Sequence, residues 1–374
     1  MEKINGKLRQ RIEDFYVEEI PMDIKEDKNG EYSIFILEKF NWETTQAILR
    51  IAKALKVSKK RFGIAGTKDK RAVTKQFVSV WKVSKEQLEN LKLKDMKITF
   101  YKQSSERLNL GMIKGNKFII TIRDIKDEKN ELERKLISIF KNLEKGIPNF
   151  FGPQRFGEVR PITAEVGKAM LKSDFENAVK IYLTKVFENE PEDAKKARNW
   201  LAKNWEQKNF SDSLKLFPKR LKWERSMLDY LMKNKNDFAG ALRRIPKRLR
   251  KIFINAVQSE IWNNVVSRIW KNAKINDKLP LPGYNTILNK DNLFHYELIK
   301  ELEKNNIKLE DFKMKSMPEL ACTGSERNIL LIPKELKIIE ISEDEINKGK
   351  LKAKISFILP PGSYASVVLS YIIS

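Results

Sequence analysis

The chain of 374 residues holds one cysteine, Cys322, and one histidine, His295. A single cysteine excludes an intrachain disulfide framework. With one cysteine and one histidine there is no ligand set for a structural zinc, and most Ser–His and Cys–His chemistry is removed. His295, inside Asp291-Asn292-Leu293-Phe294-His295-Tyr296, reads as structural. No phosphate-cradling loop or dinucleotide fingerprint is present: Gly63-Ile64-Ala65-Gly66-Thr67-Lys68 lacks the spacing of a P-loop. No cofactor and no metal are indicated. No apolar run is long enough to span a bilayer, and Met1-Glu2-Lys3-Ile4-Asn5-Gly6-Lys7 carries no apolar signal segment. A soluble, cytoplasmic protein without a membrane partner is expected. Internal repeats, low-complexity stretches and long linkers are also missing.

What the chain has in excess is positive charge. Its 74 Lys and Arg against 50 Asp and Glu give a formal charge of +24. Such an excess points to a nucleic-acid partner. The blander reading is a solvated, lysine-rich thermophile surface, consistent with abundant Lys, Glu and Ile. Thermophile surfaces balance Lys with Glu, however, and here the excess is one-sided, so nucleic acid is favoured. The length suits two domains or one large one and supports a buried core.

Residues 1–125 read mostly as strands, at Tyr32–Glu38, Gln76–Val83, Met96–Tyr101 and Asn116–Arg123. A helix over Asn41–Lys56 interrupts them, with Ala47, Ile48, Ile51 and Leu55 at helical spacing. A second helix carries Leu132, Leu136, Ile139, Phe140 and Leu143, and Gly146 and Pro148 end it. Residues 161–272 look predominantly helical. Strand character returns at Ile329–Ile332 and Lys352–Ile358. Strands, helices, then strands predict an α+β core interrupted by a helical insertion.

Four segments could carry chemistry. In Ala65-Gly66-Thr67-Lys68-Asp69-Lys70-Arg71-Ala72-Val73-Thr74, Asp69 sits in a glycine-containing turn between a helix and a strand. Rigid elements hold such a loop, and the flanking cations favour the ionised carboxylate. Asn149-Phe150-Phe151-Gly152-Pro153-Gln154-Arg155-Phe156-Gly157 could stack a flat ring and hydrogen-bond its edge, or be a core-packing turn at a domain junction. Leu359-Pro360-Pro361-Gly362-Ser363-Tyr364-Ala365-Ser366 opens a final helix, with Tyr364 near the turn. Glu13-Asp14-Phe15-Tyr16-Val17-Glu18-Glu19 is an acidic strand start. A further basic run contains Arg243, Arg244, Lys247, Arg248, Arg250 and Lys251. It reads as a phosphate-contacting patch, against the alternative of two exposed helix ends around Pro246.

Taken together and in order, these segments resemble the TruD family of pseudouridine synthases. Gly115-Asn116-Lys117-Phe118, Gln258-Ser259-Glu260-Ile261-Trp262-Asn263 and Leu281-Pro282-Gly283 add to the set, which spans nearly the whole chain. The resemblance implies an α+β pseudouridine synthase core with a mixed, mainly antiparallel sheet flanked by helices. It would occupy 1–160 and 340–374, with an inserted, mainly helical domain at 161–339. The helix near 250–272 is open to packing on the core. The implied activity is isomerisation of uridine to pseudouridine in tRNA, usually at position 13, after the base is flipped out. By motif, Asp69 would be the catalytic aspartate, and Phe15, Asn149 and Tyr364 would line the uridine pocket. Phe151 would lie beside the flipped base. Tyr364 stands where some relatives have Phe, and Trp262 where Phe is common. Lys68 and Arg155 are expected to keep Asp69 ionised and oriented, although Lys68 could instead contact phosphate. A monomer is expected.

The reaction breaks the N1–C1′ bond, turns the uracil and joins its C5 to C1′. It requires no redox agent, metal or activated donor. One carboxylate near C1′ suffices, either as nucleophile, as stabiliser of positive charge or as base toward a glycal. Hydrolytic glycosidases pair two carboxylates because water must be activated; here water must be kept out. The rival readings are a non-catalytic RNA-binding or tRNA-folding protein on the same scaffold, and a nuclease, which would want clustered carboxylates for metals.

Overall fold

A computed structural model describes residues 2–374. The chain divides into two compact units. Unit 1 is Met1–Ile147 with Leu331–Ser374, and unit 2 is Pro148–Leu330. The division falls earlier in the chain than the boundaries at 160 and 339 expected from sequence.

Unit 1 is built on one eight-stranded sheet. Its strands are β1 (Phe15–Pro21), β2 (Tyr32–Phe40), β3 (Phe62–Ile64), β4 (Val73–Trp81), β5 (Met96–Ser104) and β6 (Ile113–Ile125), plus Lys334–Glu343 and Leu351–Leu359. From one edge the order is Lys334–Glu343, Leu351–Leu359, β6, β1, β4, β2, β5, with β3 paired to β4. Only β1 and β4 run parallel; the other pairings described are antiparallel. The central strand β4 is buried along most of its length, with the polar Thr74, Gln76 and Ser79 among its buried residues.

Helix α1 (Thr44–Ala54) begins where the Glu43 carboxylate accepts the N–H groups of Thr45 and Gln46, both at 2.9 Å. It stops at Lys56, whose φ of 55° lies in the left-handed region. Ala47, Ile48 and Ile51 of α1 join Phe35, Leu37, Val78 and Val80 of the sheet in one apolar cluster. The four strands expected in residues 1–125 and both helices are present. The edge strand Lys334–Glu343 escapes a pattern reading because most of its side chains are at least partly exposed, leaving no clean apolar face. The expected strand at Ile329–Ile332 shrinks to Leu330–Leu331.

A buried charge cluster ties the C-terminal segment of unit 1 to its start. Arg123 of β6 reaches Asp14 and Asp344 at 2.8 Å each and Glu345 at 3.0 Å. Burial pushes the Asp344 carboxyl up. The Asn347 amide, the Asp124 and Ile346 N–H groups and Arg123 outweigh that and hold it well below the usual carboxylate range.

Unit 2 is mainly helical. Seven helices run from Thr163–Leu171 to Lys247–Ile269, with a two-stranded pair at Lys278–Leu281 and Ser325–Asn328 and a helix at Leu293–Lys304. The long helix Lys247–Ile269 belongs to this unit and packs on Thr163–Leu171 and Leu293–Lys304. Arg198, 1 % exposed, is held by Glu190 and Glu224 at 2.9 and 2.8 Å.

Candidate active site

In unit 1, the loop between β3 and β4 carries Asp69. Gly63, where β3 leads into the loop, packs so tightly that a Cβ there would lie 2.3 Å from the Leu108 carbonyl oxygen. The loop itself is anchored by side chains from four elements. Lys39 of β2 donates from Nζ to the Asp69 carbonyl at 3.0 Å. Thr44 of α1 accepts the Lys68 N–H at 3.0 Å. Gln76 of β4 donates to the Gly66 carbonyl at 3.3 Å. Glu19 of β1 pairs with the Lys68 ammonium and also accepts the Phe77 N–H at 2.8 Å. Their residues lie between 0 and 2 % exposed. Buried polar groups this fully partnered specify one loop conformation.

The Asp69 carboxylate receives Arg9, whose Nη2 lies 2.8 Å from Oδ2. The same guanidinium covers the face of the Phe15 ring, 4.1 Å from its centroid. Phe15 is 5 % exposed and stands edge-on to Phe118, which stacks on Phe357. One arginine thus links the carboxylate to the aromatic ring. Arg9 was not among the residues expected from sequence. It lies in an irregular segment and pairs with a residue 60 positions away, so no local pattern marks it.

Lys68 was expected to serve Asp69; its ammonium pairs with Glu19. Burial pushes the Glu19 carboxyl up, opposed by the charge and hydrogen bond of Lys68 and by the Phe77 N–H. The side chains are 7 % and 0 % exposed, so the pair is a wedge beneath the loop. Beside the loop, Gln10, Arg11, Ile12, Glu13, Asn41, Lys70 and Arg71 line an open groove of about 580 Å³. Three cations and one carboxylate border it. Tyr364 caps the final helix, Ala365–Ile372, just after Gly362, whose φ of 78° makes the turn.

In unit 2, Asn149 is locked by Arg327. The guanidinium donates to the Asn149 carbonyl at 2.8 and 3.0 Å and to Oδ1 at 2.7 Å. The Asn149 amide in turn donates to the Asn328 carbonyl at 3.1 Å. Arg327 also lies over Phe151, 4.2 Å from its centroid, and over Trp262 at 5.2 Å. Arg155 is 5.2 Å from the Phe151 centroid. Phe151 meets Trp262 edge-on, and Asn263 brackets its backbone with bonds of 2.9 and 3.0 Å. The Gln258–Asn263 motif is therefore a support for the Phe151 segment. Gln258 does likewise for Pro282, whose carbonyl it holds at 2.6 Å. Arg327, 178 residues from Asn149 in sequence, was not singled out either.

The basic run separates into two groups. Arg250 is buried, with Nε on the Ile245 carbonyl at 3.0 Å and Nη1 on Glu319 at 2.6 Å. Arg243 donates to the Ser316 carbonyl at 2.8 Å. Arg250 is thereby tied into the fold, whereas the Arg243 side chain stays 45 % exposed. Arg244, Lys247, Arg248 and Lys251 are exposed. Among the described residues, no group of three or more His, Cys, Asp or Glu could hold a metal, and no helix is long and apolar enough to cross a membrane.

A family model described as tRNA pseudouridine synthase D (TruD) matches residues 1–279 and 267–372. The chain is 37 % identical over 414 residues to a probable tRNA pseudouridine synthase D of Methanococcoides burtonii, covering 98 % of this chain and 92 % of that one. It is 37 % identical over 355 residues to the corresponding protein of Methanopyrus kandleri, covering 91 % and 85 %. A crystal structure assigned as tRNA pseudouridine synthase D from Methanosarcina mazei superposes with a TM-score of 0.81 at 34 % identity, covering 100 % of this chain and 94 % of that one. With its fold and its motifs both matched from end to end, the chain belongs to the tRNA pseudouridine synthase D (TruD) family.

Proposed function

We propose that the protein isomerises uridine to pseudouridine in tRNA, at uridine 13, with Asp69 as its single catalytic carboxylate. The observation that carries this reading is the presentation of Asp69. Its loop is fixed from below by four buried side chains, and its carboxylate is met by Arg9 across the face of Phe15. A carboxylate held this way is preorganised toward one reacting atom, which is where such sites derive their rate. Phe15 and Tyr364 are proposed to contact the uracil ring. Asn149, Phe151 and Arg155 carry proposed roles in recognising the uridine, with Arg327 holding Asn149 and Phe151 in place. Lys70, Arg71 and Arg11, on the groove beside Asp69, suit a phosphodiester of the same RNA. The protein is proposed to act as a cytoplasmic monomer without a cofactor.

The direct test is tritium release from tRNA carrying 5-tritiated uridine, because forming the C5–C1′ bond displaces the hydrogen at C5. Release is expected from a tRNA with uridine 13 and not from the same tRNA with cytidine there. Equal release from both would refute the position. No release from either, with the tRNA still bound, would favour a non-catalytic RNA-binding protein.

Arg244, Lys247, Arg248 and Lys251 are proposed to contact RNA backbone. They cluster at the N-terminal end of the helix Lys247–Ile269, whose first turn carries no acidic residue. Cations there oppose the helix dipole, so their presence is poorly explained by stability and well explained by an anionic partner. Changing all four to Gln should weaken tRNA binding and lower the salt slope, log Kd against log salt, by about 3. Turnover at saturating tRNA should persist. An unchanged slope would remove the run from the RNA interface.

A further inference from the structure

We propose that Lys39 is a positioning residue for Asp69, and that its ammonium must be charged for the catalytic loop to hold its working shape. The proposal rests on Asp69 being the catalytic carboxylate. Lys39 lies on β2, 1 % exposed. Its Nζ donates to two main-chain carbonyls, Trp42 at 2.5 Å and Asp69 at 3.0 Å. The first belongs to the turn entering α1, and the second to the catalytic residue itself. One cation therefore ties the loop to the sheet at the position where the carboxylate is aimed.

Lysine is a costly choice for that place. An ammonium loses its hydration on burial, and two carbonyl dipoles recover only part of it. No surface phosphate can be its partner, because water and ligands scarcely reach it. Its neighbours supply little compensation. Across the ladder its partners are Thr74 on β4 and Met96 on β5, neither charged. The Thr74 hydroxyl is itself without a hydrogen-bond partner. The charged groups acting on it are Glu43, which caps α1, and Asp69 and Lys68 of the loop. Burial, with the opposing charge of Lys68, outweighs the two carboxylates, and the ammonium is pushed down to about 8.

The consequence is a clamp that opens just above neutral pH. A neutral amine retains N–H donors but loses the charge-assisted part of both bonds. The Asp69 carbonyl is then held loosely, and displacement by about 1 Å at a reacting group lowers rate on the order of 10²-fold. Stability moves the other way. Between about 8 and the ordinary lysine value of 10.5, the unfolded chain holds a proton that the folded chain has released. Raising pH through that window therefore favours the folded state as far as Lys39 is concerned. Falling activity with undiminished thermal stability is the signature of the clamp, and alkaline unfolding would show the reverse.

The experiment is single-turnover tritium release at saturating tRNA from pH 6.5 to 9.5, for wild type and Lys39→Met, with a thermal midpoint at each pH. Wild-type rate should fall by about tenfold for one pH unit above the titration. The Lys39→Met rate should be lower on the order of 10²-fold at pH 7, with tRNA affinity unchanged, and the two rates should converge at high pH. Titration of the uracil imide would lower both proteins alike and would not make them converge. A wild-type profile without an alkaline fall, or a variant with wild-type rate at pH 7, would overturn the proposal. If Lys39→Met does not fold, Lys39→Arg takes its place: a guanidinium stays charged over the whole range, so an alkaline fall that Lys39→Arg shares with wild type would overturn the proposal. Absence of release from wild type at every pH would instead strike at the activity itself, which keeps the two failures apart.

Discussion

Asp69→Asn is expected to abolish tritium release while leaving a folded protein that binds tRNA with near wild-type affinity. The substitution keeps the shape of the side chain and removes its charge. In the fold, that charge is partnered by Arg9 at 2.8 Å, with side chains 28 % and 33 % exposed. A pair so accessible to solvent contributes no more than about 1 kcal/mol to stability. The loop is held instead through the backbone carbonyls and N–H groups that Lys39, Thr44 and Gln76 engage, and these do not involve the carboxylate. Chemistry has no such reserve. Whether the carboxylate attacks C1′, stabilises charge there or removes a ribose proton, an amide can do none of the three. A loss on the order of 10³-fold or more is expected, read as the single-turnover rate alongside a thermal midpoint and a tRNA titration. Measurable turnover within tenfold of wild type would remove Asp69 from the mechanism. Loss of folding would instead show that the carboxylate is structural.

The largest effect on stability is expected beneath the same loop. Glu19→Ala strands the Lys68 ammonium, 7 % exposed, and orphans the Phe77 N–H, which the Glu19 carboxylate accepts at 2.8 Å. Breaking a buried pair from one side costs about 3–5 kcal/mol, because the remaining charge is left desolvated. Urea unfolding should register that loss. The double variant Glu19→Leu with Lys68→Met should recover much of it, since removing both charges removes the desolvation as well. A single variant within about 1 kcal/mol of wild type would mean that Lys68 finds another partner when Glu19 is gone. The double variant also separates two roles. If it is stable yet slow, the pair orients the loop beyond holding it together; if it is stable and active, the pair is only a wedge.

Sequence patterns served well where the determining interactions are local. The α1 face of Ala47, Ile48 and Ile51 appears as expected because amphipathic spacing and the buried sheet face are the same constraint seen twice. The Asp69 segment was legible because its glycine, its carboxylate and its cations are contiguous. Contiguity does not reveal where the Lys68 ammonium turns. Adjacency suggested that it served Asp69; its side chain turns to a strand 49 residues away. The basic run shows the same limit, since composition alone cannot separate the buried Arg250 from the exposed Arg248.

What the sequence by itself determined is the inventory: an α+β chain with one carboxylate set among cations, aromatic segments beside glycines and prolines, and a charge that points to nucleic acid. Those follow from residue types, spacing and motif order, which need no third dimension. What only the tertiary structure decided is partnership. Arg9 with Asp69, Glu19 with Lys68, Lys39 with the Asp69 carbonyl and Arg327 with Asn149 are separated by 60, 49, 30 and 178 residues. Charges and donors pair by distance and burial, and those are set by which strands the sheet brings side by side. Until β1, β2 and β4 lie together, nothing in the chain says which cation the carboxylate will meet.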